Sequence, residues 1–512
     1  MRRLWQTLTM GALLGLALPA TPALADTWIR IESDNFVVHS NASARATEAY
    51  VRNLEKYRFV LHSLYRRDGD QEMVYPKLDL YFVERQSDFR EVWPDVRPSV
   101  AGFVRLCSAG ITGYSLFDNR AVENTRDLQD QAQNTGQTIL FHEYAHMFMM
   151  QNSSTIYPSW FIEGFAEFFG TTRLNDQQAL IGMAWGGRLK ALQSAEKLRW
   201  EDILGETAES RNPQHRSEFY AQSWLLTHWI LTDTARTQAL SAFMAARAQG
   251  TDAVKAFEAA FGIPVKSLSR TLHDYLRHLK ANVVTISDMP TPLMTTTTLP
   301  ASADKLAIWD GGLTSCLFGK YKPEMLAKIR TEAARFPTDD YAQGVLARAE
   351  LFLGDEEKSL DYFKAQIKAQ PDNPDGYFHL GQAWYRMARD NRLLPGETRD
   401  SQIKKARTLF NKTYQLDPLN AVNLYHLSLT GAQGPDYPDE STLNAAYEAH
   451  MLAPSVRDFA IHAATLLLMK GHRDDARKAI APIAGDPHGG KTAEWIASVI
   501  AAIDAGKPDA DV

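Results

Sequence analysis

The stretch that decides the fold runs Thr138-Ile-Leu-Phe-His-Glu-Tyr-Ala-His-Met-Phe148, and after a break comes Trp160-Phe-Ile-Glu-Gly-Phe-Ala-Glu167. Residues four apart share a helix face, so His142 and His146 project together, with Glu143 beside them. Two imidazoles so placed can grip one metal ion while Glu143 reaches a water on that ion. A catalytic zinc takes three protein ligands and keeps a fourth position open, and a carboxylate is a common third ligand. Glu163 is the candidate for it.

The surroundings strengthen this reading. Ile139, Leu140, Phe141, Ala145, Met147, Phe148 and Met149 cover most of a helix expected from Gly136 to Gln151, which is therefore buried. Two histidines and a glutamate on such a helix are costly unless paired or bound to something. Asn152 to Pro158 breaks the helix, and Ser159 is expected to N-cap a second one carrying Trp160, Phe161, Phe165, Phe168 and Phe169. The two form an αα-hairpin. Glu163 and Glu167 lie one turn apart on the second helix, so one would bind metal and the other would fix a ligand histidine through its free ring N–H.

His142-Glu-Tyr-Ala-His146 followed by Trp160-Phe-Ile-Glu-Gly-Phe-Ala-Glu167 resembles the gluzincin metallopeptidases. The resemblance implies a zinc cofactor, Glu143 as catalytic base, and Glu163 as third ligand in preference to Glu167. It also implies a role for Tyr220, because gluzincins often place a tyrosine hydroxyl at that stage of the chain to stabilise the oxyanion; a core aromatic beside Phe219, Trp224 and Trp229 is the competing reading. Phe219-Tyr-Ala-Gln-Ser-Trp-Leu-Leu226 and Trp28-Ile-Arg-Ile-Glu-Ser-Asp-Asn-Phe-Val-Val-His39 resemble the peptidase-MA-like domain of bacterial secreted proteins, over about residues 27–282. The G-x-M-E-N motif that holds a substrate's free amino terminus is absent, so endopeptidase activity is the expectation. His215 and His228 are expected to be loop or surface histidines, and His273 and His278 to need no special role.

The amino terminus, with Arg2 and Arg3, an apolar run around Gly11 to Leu18, and Ala23-Leu-Ala25, reads as a secretory signal peptide. Export to the periplasm of a Gram-negative bacterium is expected. No later stretch is long enough to span a bilayer. The chain is mildly acidic, with a net charge of −6, and it has no basic run to attract nucleic acid. Cys107 and Cys316 are assigned to different domains and expected to be isolated buried thiols.

The expected fold is an α+β zincin-like peptidase domain, a small mixed sheet plus a helical half carrying H-E-x-x-H, followed by an all-α solenoid. Strands are expected at 28–31, 36–39 and 78–83, a helix from Ser43 to Tyr65, and a hairpin across 102–117 whose edge would pair with substrate. From Asn134 onward everything reads as helix. Ser287-Asp-Met-Pro-Thr-Pro-Leu-Met-Thr-Thr-Thr-Thr-Leu-Pro300 reads as a linker. Beyond it, Pro337, Pro371, Pro418, Pro454 and Pro487 recur at intervals of 34, 47, 36 and 33 residues. That spacing, with Tyr377-Phe-His-Leu-Gly-Gln-Ala-Trp384, resembles tetratricopeptide repeats, with an insertion near Asp390 to Asp400. The domains are thus a signal peptide over 1–25, a peptidase over 26–282, a linker over 283–310 and repeats over 311–505. A zinc endopeptidase acting on peptide or protein substrates is expected, with a protein partner on the concave face of the repeats. A zinc-binding envelope scaffold and a zinc amidase acting on cell-wall peptide are the other readings.

Overall fold

Leu78-Asp-Leu-Tyr-Phe-Val83 is apolar at nearly every position, and the strand it forms is covered on both faces. Leu78, Leu80 and Phe82 enter one core, while Tyr81 and Val83 enter another. The computed structural model describes residues 27–65, 74–117, 135–194, 197–207, 210–431, 435–486 and 489–507, and the expected signal peptide lies outside them. The sheet takes β1 (Ile29–Glu32), β2 (Phe36–Ser40), β3 (Leu78–Val83), β4 (Gly102–Cys107) and β5 (Gly110–Leu116), with α1 (Ala44–Tyr65) and the short α2 (Phe89–Val92) between strands. Its order is β4-β5-β3-β2-β1 and then β9 (Thr295–Thr298). β2, β3 and β5 run parallel and the outer pairs antiparallel, so the sheet is mixed.

One face packs on α1 and on the helical half. That half begins with α3 (Thr135–Asn152) and α4 (Ser159–Gly170), passes β6 (Arg173–Leu174), β7 (Gln178–Ile181), α5 (Gly186–Gln193) and α6 (Trp200–Gly205), and continues with α7 (Arg216–Leu231), α8 (Thr234–Ala248), α9 (Ala253–Phe261) and α10 (Val265–Leu276). The expectation of helix alone after Asn134 fails here. β6, β7 and β8 (Asn282–Thr285) form a second, three-stranded sheet, because Gln178-Ala-Leu-Ile181 is a four-residue run closed by Gly182 at a positive φ, too short to sustain a helix.

The stretch expected as a linker is part of the fold. β8 pairs with β7, and the four threonines of β9 pair with β1 at the sheet edge. α11 (Ala303–Thr314) then lies across the second face of the sheet, where Leu306, Ala307 and Leu313 join Trp28, Tyr81 and Tyr114 in one core with Ile329 of α12 (Lys322–Ala333) and Val345 of α13 (Asp340–Leu353). Threonine suits an exposed edge strand, which is why a composition without periodicity still forms one. Cys107 and Cys316 form a disulfide with their Cα atoms 6.2 Å apart, which corrects the expectation of isolated thiols. The cause is the return of α11 over β5: the Tyr114 hydroxyl stands 2.7 Å from that of Ser315, and the Thr112 hydroxyl 3.3 Å from that of Thr314.

The C-terminal half is helical. α14 (Leu360–Ala369), α15 (Pro374–Arg389), α16 (Arg399–Leu416), α17 (Ala421–Leu429), α18 (Glu440–Leu452), α19 (Arg457–Met469), α20 (Arg473–Ala484) and α21 (Gly490–Asp504) pack in succession. Pro337, Pro371, Pro418 and Pro454 follow helix ends, while Pro487 lies outside the described residues, and two residues after three of them stands an N-cap: Asp339, Asn373 and Asn420 each accept a backbone N–H of the first turn. The long interval between Pro371 and Pro418 is taken up by the connection from Asp390 to Thr398 and by the 18-residue α16. Among the described residues no helix is long and apolar enough to cross a membrane.

Candidate metal centre

α3 is apolar nearly all round, so most of it is buried, and its two histidines meet the carboxylates of α4. His142 Nε2 and His146 Nε2 are 3.0 Å apart. Oε2 of Glu163 stands 3.4 Å from the first and 3.5 Å from the second. The structure thus brings His142, His146 and Glu163 together as a triad able to hold a metal ion. Ligands on a tetrahedral zinc at ~2.0–2.1 Å lie ~3.3 Å from one another, so the donor spacing fits that ion. Two neutral nitrogens and one carboxylate oxygen are also donors that zinc favours.

Glu163 is fully buried, and the packing of α4 explains how a carboxylate comes to sit there. Gly164, its neighbour, crosses α7 so closely that a Cβ would lie 2.1 Å from Thr227 Oγ1 and 2.4 Å from the Ser223 carbonyl. Gly170, at the C-terminal end of α4, meets α3 at His142, where a Cβ would be 3.1 Å from that residue's own Cβ. Glycines thus seat the helix at its middle and at its C-terminal end. Its N-terminus departs from expectation: Pro158 holds the N-cap position without a side-chain bond. The backbone N–H and hydroxyl of Ser159 instead donate to the Glu206 carboxylate, at 2.7 and 2.5 Å, so a distant acid caps the helix and matches its positive end.

Glu167 is one turn beyond Glu163 and takes the outer place. Its Oε1 lies 3.6 Å from His142 Nδ1, and its two oxygens accept from Arg188 Nε and Nη2 at 2.9 and 2.6 Å. Arg188, on α5, has no signal in the sequence that pairs it with this site. Burial alone would lower the His142 pKa, but Glu163, Glu167 and Glu143 around it outweigh that and raise it to about 9. Glu143 is half-buried and lies within electrostatic reach of His142 and Tyr220.

Tyr220 sits in the second turn of α7. Its ring centroid is 6.3 Å from that of His142, and the Arg188 guanidinium stands 5.0 Å over its face. Tyr220 and Glu163 line one cleft of about 610 Å³. Of the neighbouring histidines, His215 is half-buried in the turn before α7. His228 is fully buried, against the expectation of a surface residue: α7 carries its ring between Phe168 and Trp224, and Nδ1 is 2.8 Å from the Tyr275 hydroxyl. β4, at one edge of the six-stranded sheet, lies alongside α3, with Gly102 against Ile139.

A family described as protein of unknown function (DUF1570) matches residues 138–251, a segment that holds H-E-x-x-H, Glu163, Glu167 and Tyr220 but neither the six-stranded sheet nor the C-terminal helices. No curated protein and no solved structure matches the chain.

Proposed function

We propose that this protein is a zinc-dependent peptidase, acting within chains rather than at their ends, with zinc held by His142, His146 and Glu163. The observation that carries it is the spacing of the three donors, within 3.0–3.5 Å of one another, beside a cleft that reaches Glu163 and Tyr220. Bound there, a zinc ion would polarise the scissile carbonyl and acidify a water. Glu143 takes the proton of the attacking water and delivers it to the amine nitrogen as the C–N bond breaks. Tyr220 donates to the carbonyl oxygen as charge develops on it. Glu167, fixed by Arg188, holds the His142 ring in place. The position of β4 at the edge of the six-stranded sheet, beside α3, suits an extended substrate strand. The zincin-like arrangement, the tetratricopeptide-like reading of the C-terminal helices and export to the periplasm belong to the same proposal.

Metal analysis with a peptide-library assay tests it. Wild type should carry about one zinc and hydrolyse peptides in a chelator-sensitive way. Glu143→Gln should abolish hydrolysis and leave zinc content and Tm near wild type, because this side chain meets the water and not the metal. Undiminished turnover in Glu143→Gln would remove the proposal. Zinc without hydrolysis in wild type would favour the scaffold reading.

A further inference from the structure

The cleft lined by Glu163 and Tyr220 is built from two distant parts of the chain. Glu163, Arg211, Arg216 and Tyr220 line one side, and Ala493, Glu494 and Ala497 of α21 line the other. The C-terminal helices are seated there closely. At Gly485, just after α20, a Cβ would lie 2.6 Å from the Tyr157 carbonyl and 3.4 Å from Ile162 Cδ1, so α20 ends directly on the turn joining the two metal helices. Asp486 pairs with Arg457 at the start of α19, and α19 packs on the edge strand β4. The last helices therefore touch both the turn between the metal helices and the edge strand.

The side chains on the two walls differ in kind. Gly490, Ala493 and Ala497 stand at i, i+3 and i+7, so α21 presents a narrow small-residue face and leaves the space open. Among the charged groups of the cleft, Glu163 belongs to the metal triad, Glu206 is engaged by Ser159 and Asp486 by Arg457. Arg211 and Arg216 remain exposed on the metal side, and Glu494 is exposed on the opposite wall. Arg216 lies one turn before Tyr220 on α7, which places its charge within electrostatic reach of that hydroxyl. Glu206 keeps its charge in its bonds to the neutral Ser159, so Glu206 and Glu494 match the two arginines in number; Arg211 and Arg216 are the cations among the described lining residues, and guanidinium groups favour carboxylates. A volume of about 610 Å³ holds a short extended segment and not a folded domain.

Resting on the peptidase reading above, we propose that α20 and α21 form the far wall of the substrate cleft, and that the cleft takes an extended polypeptide whose acidic side chain meets Arg211 and Arg216. The C-terminal helices then belong to the active site and set its selectivity.

Binding to the zinc-loaded full chain tests this without relying on turnover. Acetohydroxamate, a small zinc-directed probe, is compared with two tripeptide hydroxamates that differ only in carrying aspartate or lysine. Wild type should bind the aspartyl probe at least about tenfold more tightly than the lysyl one, and Arg211→Ala with Arg216→Ala should erase the difference. Ala497→Trp should weaken the aspartyl probe by about tenfold or more while zinc content and acetohydroxamate affinity stay as in wild type. If that variant misfolds, Glu494→Lys on the same exposed face should strengthen the aspartyl probe and weaken the lysyl one. Unchanged peptide-probe affinity in folded Ala497→Trp, or in Glu494→Lys, overturns the wall; equal affinity of wild type for the two peptide probes overturns the carboxylate preference. A wild type that carries no zinc, or that binds the probes but hydrolyses no peptide, overturns the peptidase reading instead.

Discussion

Tyr220 shows what a single side chain contributes to this site. Burial and the nearby Glu163 charge push its hydroxyl well above the ordinary phenol range, so at neutral pH it keeps its proton and can donate it in a hydrogen bond. Phe219, a core aromatic, lines the same cleft, so removing the hydroxyl alone is what separates the two roles. Tyr220→Phe should lower turnover by roughly a hundredfold with KM, zinc content and Tm little changed; wild-type turnover in this variant would return Tyr220 to the core. His142 supports a second test. Its pKa of about 9 in the metal-free site means the ring is protonated at neutral pH, and metal binding must displace that proton. Zinc affinity should therefore rise by about tenfold per pH unit on approaching pH 9 from below and level off above it. Calorimetry in buffers of different ionisation enthalpy would count the proton released, and a pH-independent affinity between pH 6 and 8 would contradict the assignment.

Among elements, the crossing of α4 on α7 controls where Glu163 stands. A Cβ on Gly164 would strike Thr227 Oγ1 and the Ser223 carbonyl, and the second of these is backbone that yields only if the helices separate. Gly164→Ala should cost about 1–3 kcal/mol, read as a lower Tm, and should weaken zinc binding because Glu163 moves with the helix. Gly186→Ala, at a position where a Cβ meets nothing within 4 Å, is the control and should leave both readouts near wild type. Much at this scale was legible in the sequence. The strands at Phe36 and Leu78, the hairpin after Gly102 and the two metal helices follow from local pattern, and local pattern suffices when the residues that set an element are neighbours in the chain. What was missed depends on partners far away. The Glu206 cap lies 47 residues from Ser159, and Arg188 lies 21 from Glu167, on a helix with no periodic link to the site. The threonines of β9 gain their strand partner from β1, some 266 residues earlier, and no window of sequence holds both.

The whole molecule is organised around a sheet with two covered faces, and this decides whether its halves are separable. A Pro- and Thr-rich composition marks a boundary only when the chain on either side can complete its own core. Here the segment after Ser302 supplies α11 to α13, which cover Trp28, Tyr81, Val83 and Tyr114. Uncovering each of these side chains costs roughly 1.5–3 kcal/mol, so four of them together approach the ~5–15 kcal/mol that holds a typical domain folded. The same cut removes Cys316, whose bond to Cys107 spans 209 residues; in the chain-entropy account a closed loop of that size contributes about 5 kcal/mol. A fragment of residues 27–301 should therefore be insoluble or melt far below the full chain, and it should lose zinc, because α3 rests on the sheet whose other face has been exposed. The double variant Cys107→Ser with Cys316→Ser separates the two contributions: it keeps the helices in place and should stay folded with a lower Tm. Were the fragment soluble, zinc-loaded and as stable as the full chain, the second face of the sheet would contribute little, and the C-terminal helices would be an attachment and not half of the core.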